Sequence, residues 1–123
     1  MQLRDDVPSI FYPGHWGCFG GGIERDETPA AALCRELSEE LDVGLEIGEL
    51  RYFTHFSFDM QPLGYGTVGR TYYEARLTAQ QASRLRLGEG AEVRTFEGEQ
   101  LLAGYRVTPY DAFALWLHLR RER

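Results

Sequence analysis

The chain has 123 residues, 43% of them hydrophobic and 26% charged, the balance of one ordinary folded domain rather than a disordered tract. Its 19 acidic residues against 13 basic ones leave a formal net charge of -6, which argues against a nucleic-acid partner because phosphate backbones are drawn to basic surface. All 13 basic residues are Arg, so Schiff-base and phosphate-loop lysines are excluded.

The predicted elements follow in chain order. Gln2-Leu3-Arg4 reads as the tail of a strand, and residues 5–15, with Pro8, Pro13 and Gly14, as a loop. Trp16 to Phe19 is a short apolar strand stopped by Gly20-Gly21-Gly22. Thr28 is a good N-cap and Pro29 suits the first helical position, so a helix should run from about Pro29 to Leu41. Leu33, Leu37 and Leu41 recur at i, i+4 and i+8, one buried stripe. Leu50 to Met60 and Thr67 to Leu77 read as strands joined by residues 61–66 as a hairpin. A short helix is expected within 78–87 and a strand over Ala91 to Phe96. Thr108-Pro109 again pairs a cap with a first-position Pro, opening a terminal helix over Tyr110 to Arg121.

No apolar run approaches the roughly 20 residues of a membrane helix. No N-terminal stretch reads as a secretory leader. Cys18 and Cys34 form no metal-type pair and read as reduced, buried small hydrophobes. The expectation is a single cytoplasmic domain over residues 1–123 with no membrane partner. Strands mixed with helices at both ends point to an α/β or α+β sandwich.

Charge is unevenly spread. Nine acids fall between Glu24 and Glu49, opposed only by Arg25 and Arg35. Glu36, Glu39 and Glu40 stand at i, i+3 and i+4, so they share one helix face and repel one another. Either water solvates that face or a hard divalent cation, which prefers oxygen ligands, compensates it. Glu27, eight residues before Arg35, is placed to brace the loop against the helix as an ion pair. His15 and His55 have no partner spacing for metal or triad chemistry, and no serine sits in a nucleophile elbow.

Residues 21–43 closely resemble the Nudix box: a Gly, five residues, a Glu, seven residues, then Arg-Glu-apolar-any-Glu-Glu-any-Gly-apolar. Gly21, Glu27, Arg35, Glu36, Leu37, Glu39, Glu40 and Val43 match in register. Asp42 stands where the family usually has Gly, so Asp42 or Gly44 should take the left-handed turn that ends the helix. The run Trp16-Gly17-Cys18-Phe19-Gly20-Gly21-Gly22 is similar to the family's Trp-x-apolar-Pro-Gly-Gly, with Gly20 in place of Pro. Residues 89–96 look like the acidic loop and strand found late in that fold.

The resemblance implies a Nudix-like α/β/α sandwich with a mixed sheet. Only 20 residues precede the box, so the first strand is expected to be shortened or missing, leaving an edge that a second copy in a homodimer could cover. It also implies a hydrolase acting on a nucleoside diphosphate linked to a group X, with Mg²⁺ or Mn²⁺. Glu36, Glu39 and Glu40 would be the metal ligands, Gly21 could add its carbonyl, and Glu39 is either ligand or general base. Glu89 and Glu92 are the late-loop alternatives for the base, Glu89 preferred for its flanking glycines. Arg70 and Tyr12 are candidate substrate contacts, to phosphate and to a stacked base respectively. A Nudix-like binding or regulatory module without hydrolysis is the alternative; RNA decapping would need a basic path that this chain lacks.

Overall fold

The computed structural model describes residues 1–8, 10, 12–41, 43–83, 85 and 92–121. Five strands and four helices alternate along them: β1 (Gln2–Leu3), β2 (Trp16–Gly17), α1 (Pro29–Leu41), β3 (Arg51–Asp59), β4 (Thr67–Glu74), α2 (Ala79–Ser83), β5 (Glu92–Val93), α3 (Gly98–Gly104) and α4 (Pro109–Arg121). The first strand is indeed short, but it is not an edge. β1 lies between β2 and β5, antiparallel to both, with Leu3 opposite Trp16 on one side and Glu92 on the other. This corrects the reason given for a covering partner. A parallel bridge from Trp16 to Val107 makes the pairing mixed, as expected.

The strands do not form one sheet among the described residues. β3 and β4 make a separate antiparallel hairpin. Its connection contains a 3-10 turn, Gln61–Leu63, closed by Gly64 at φ 84, a left-handed conformation that suits a residue without Cβ. A register shift between Tyr52 and Thr54 lets Phe53 and Phe56, three residues apart, both meet α4. Phe56 packs on Phe113 at 5.1 Å and Phe58 on Tyr110 at 5.8 Å. At the far end Arg121 grips both Glu74 oxygens, and His118 Nδ1 lies 2.8 Å from Glu74.

α1 begins as its sequence dictates: the Thr28 hydroxyl accepts the Ala31 amide at 3.1 Å. The leucine stripe is only partly buried. Leu41 is 2% exposed and centres a cluster with Val43 and Leu45, against which Leu37 and Phe19 pack, while Leu33 is only half buried. At the helix end Val43 N donates to Leu37 O at 3.4 Å. Gly44 is not left-handed, and Asp42 lies outside the described residues. α4 departs from expectation at its cap. The buried Thr108 hydroxyl donates to Asp111 at 2.7 Å instead of accepting a helix amide. α3 was unexpected; Gly98 opens it because a Cβ there would lie 2.8 Å from Leu119 of α4. The expected strand over 91–96 is reduced to Glu92–Val93, with residue 91 outside the described residues.

Candidate active site

Arg35 organises the acidic surface. Its Nε and Nη2 donate to the two Glu27 oxygens at 2.9 and 3.0 Å, a two-pronged grip that fixes both charge and orientation. Nη2 also donates to the Gly22 carbonyl at 3.0 Å, tying the glycine run to the helix. The Arg35 bond, and then the Glu24 amide donating at 2.8 Å, hold the Glu27 carboxyl below its usual range. Glu27 in turn holds the Arg35 guanidinium more firmly protonated. The loop turns into this grip through Asp26, at φ 67, a left-handed conformation that Asp tolerates better than most side chains.

The three box glutamates are placed differently from one another. Glu36 receives Arg35 Nη1 at 2.9 Å, its side chain is 15% exposed, and its carboxylate lies against Gly21, where a Cβ would come within 2.8 Å of Oε2 and closer still to Oε1. Glu40, one turn on, is 5% exposed. Glu39 is 61% exposed and meets Arg35 Nη1 at 3.4 Å. Arg35 therefore supplies part of the counter-charge that the helix face requires, and among the described residues no three acidic, His or Cys side chains converge as a metal cluster. Glu92 on β5 is ion-paired to Arg94 at 2.6 Å, and Glu89 lies outside the described residues. His15 bonds the Pro13 carbonyl and His55 the Thr71 hydroxyl, so both serve their own loop and hairpin.

Beside Gly20 and Gly21 opens a cavity of about 400 Å³ between α1 and the β4–α4 pair. α1 and the segment before it contribute Phe19, Ile23, Pro29, Ala32 and Leu33. Arg70, Tyr72, Tyr110 and Asp111 face them from the other elements. Arg70 lies over the Tyr110 ring at 4.0 Å. Tyr12, held at φ 47, packs edge-on against Tyr110 at 5.8 Å and does not line the cavity. Cys18 is exposed at the cavity wall and Cys34 half buried, which corrects the reading of both as buried hydrophobes.

Sequence reasoning missed Asp111. It is 5% exposed and accepts three hydrogen bonds: from the Thr108 hydroxyl, from the Cys18 amide at 3.0 Å and from the Tyr72 hydroxyl at 2.8 Å. Burial first, and then the Asp111 charge, raise the Tyr72 hydroxyl well above its ordinary value. The Thr108-Pro109-Tyr110-Asp111 spacing, a hydroxyl three residues before a carboxylate at a helix start, was the available signal.

The NUDIX domain family model matches residues 4–117 of the chain. Nucleoside triphosphatase NudI of Enterobacter sp. (strain 638) is 40% identical over 63 residues, covering 50% of this chain and 44% of that protein. The chain thus aligns with less than half the length of that curated relative. The crystal structure of a MutT/nudix family protein from Enterococcus faecalis superposes with a TM-score of 0.50 at 25% identity, over 60% of this chain and 27% of that one.

Proposed function

The chain belongs to the NUDIX domain family, and from that membership we propose that it is a pyrophosphohydrolase that cleaves a nucleoside diphosphate linked to a group X with the help of Mg²⁺ or Mn²⁺. The observation that carries the reading is the pair of contacts made around the glycine run: Glu36 against Gly21, and the Arg35 fork on Glu27 and Gly22. An acidic helix face would repel a polyphosphate, so the reaction needs a positive charge between them.

The residues fit a hard cation in kind. All the donors are oxygens, and Gly21 leaves the Glu36 carboxylate lying directly on the backbone, a space that any side chain at 21 would fill. Glu36 and Glu40 would hold the ion, with the Gly21 carbonyl and Glu39 as further ligands. A divalent ion bound there would offset phosphate charge and activate a water.

The protein's own groups do the rest. Arg35 and Glu27 hold the loop so that Gly21 meets Glu36. Glu39, 61% exposed, is one candidate to take a proton from an attacking water and Glu89 the other. Arg70 is a substrate contact from the cavity wall, and Tyr12 supports it by packing against Tyr110. The name of the curated relative supports a nucleoside triphosphate as the first substrate to try. The proposed setting is the cytoplasm, with both thiols free and residues 1–123 acting as one domain; no described helix is long and apolar enough to cross a membrane.

The test is a nucleotide panel with Mg²⁺ or Mn²⁺ and identification of products. The expected product is a nucleoside monophosphate. Tight binding without metal-dependent release would contradict the reading and favour a binding module, in which Arg35 alone neutralises the acids.

A further inference from the structure

A substrate whose phosphates meet Glu36 and Gly21 still has its nucleoside to accommodate, and the cavity begins at those same glycines. Its two walls differ in chemistry. The α1 side is apolar, which suits the flat face of a base and opposes a phosphate, whose desolvation there would be costly. The β4–α4 side carries Arg70. Among the described residues Arg70 donates no hydrogen bond, and its Nε is buried without an acceptor. Stacking on Tyr110, itself edged by Tyr12, fixes the plane of its donors in advance.

The neighbouring carboxylate is a poor complementary acceptor. Asp111 is already engaged by the Thr108 hydroxyl, the Cys18 amide and the Tyr72 hydroxyl. A ligand acceptor would pair with the terminal Arg70 nitrogens, Nε being buried, whereas an amino group would face them donor to donor and find at most one open lone pair on Asp111, at Oδ1.

We propose that this cavity seats the nucleobase and that Arg70 selects bases bearing a carbonyl on the edge remote from the sugar (guanine, uracil, thymine) over adenine and cytosine, which bear an amino group there. The proposal deepens the pyrophosphohydrolase reading and rests on it for where the phosphates lie. Arg70 thereby reads the base and not, as the sequence first suggested, a phosphate.

Binding of GMP, AMP, UMP and CMP in the presence of Mg²⁺, measured by calorimetry, tests the proposal without requiring turnover. Wild-type protein should prefer GMP over AMP and UMP over CMP by roughly 5- to 100-fold, the range expected of a well-placed Arg–carbonyl contact. Arg70→Met should bring both ratios close to one. If Arg70→Met fails to fold, Ala32→Leu, which fills the cavity from the opposite wall, should weaken all four nucleotides and leave inorganic pyrophosphate binding unchanged. Equal wild-type affinities would overturn the proposal. So would an Arg70→Met protein that loses all four nucleotides and pyrophosphate in parallel, the mark of a phosphate contact. Base preference without hydrolysis would remove the enzyme reading and uphold this one; hydrolysis without base preference would do the reverse.

Discussion

Gly21 shows how much one missing side chain can decide. The Glu36 carboxylate occupies the space a Cβ would take, so Gly21→Ala must push either the loop or the glutamate aside. Because Gly21 is exposed, the fold should survive the change. Turnover should not: a displacement of about 1 Å in a catalytic constellation costs on the order of 100-fold, and the check is steady-state kinetics beside a thermal melt. Glu27 gives a second, pH-dependent prediction. Its carboxyl is held below the usual range, first by the Arg35 hydrogen bond. A lowered carboxylate contributes stability that is complete above the ordinary value of about 4.3 and fades as the pH falls through the folded one. Melts of the wild type and Glu27→Gln should therefore differ at neutral pH and converge in acid below that ordinary value. A constant gap across the range would mean that the pair does not titrate as a clamp.

At the scale of elements, Asp111 joins the residue after β2, Cys18, to β4 and to the start of α4 through one carboxylate. Asp111→Ala would strand three donors in a largely buried position, so the loss should be at least about 3 kcal/mol, since each unsatisfied buried group costs roughly 1–3 kcal/mol. Urea unfolding measures it, and Asp111→Asn should recover part of the loss. This joint also marks where the sequence stopped being legible. β3, β4, α1 and α4 were readable because each is long enough to repeat its own period or carries a cap and a first-turn Pro. β1, β2 and β5 hold two residues each, too few for any alternation, and exist because of the partners they meet across the chain. α3 is short and opens on Gly98, a poor helix former that is tolerated because Leu119 crowds the position. Thr108 looked like an ordinary cap accepting a helix amide, but its hydroxyl donates to the Asp111 carboxylate three residues on.

Across the whole molecule, the α/β character and the register of the box residues could be read in advance, because the glycine, arginine and glutamates act through local spacing. The Arg35–Glu27 contact is of that kind. What spacing could not give was the division into a three-stranded sheet and a separate hairpin, or the cavity between them, since these depend on contacts between distant segments. Arg35 also reaches its neighbours Glu36 and Glu39, at i+1 and i+4, and shares the work of charge compensation. The account therefore turns on whether a divalent cation completes that compensation during catalysis. The most direct measurement is nucleoside monophosphate release from a nucleoside triphosphate, with and without Mg²⁺ or Mn²⁺, for the wild type and for Glu40→Gln shown by its melt to be folded. The account predicts release by the wild type only with the metal, and none by the variant. Release by Glu40→Gln at the wild-type rate, or release that survives removal of all divalent metal, would contradict it.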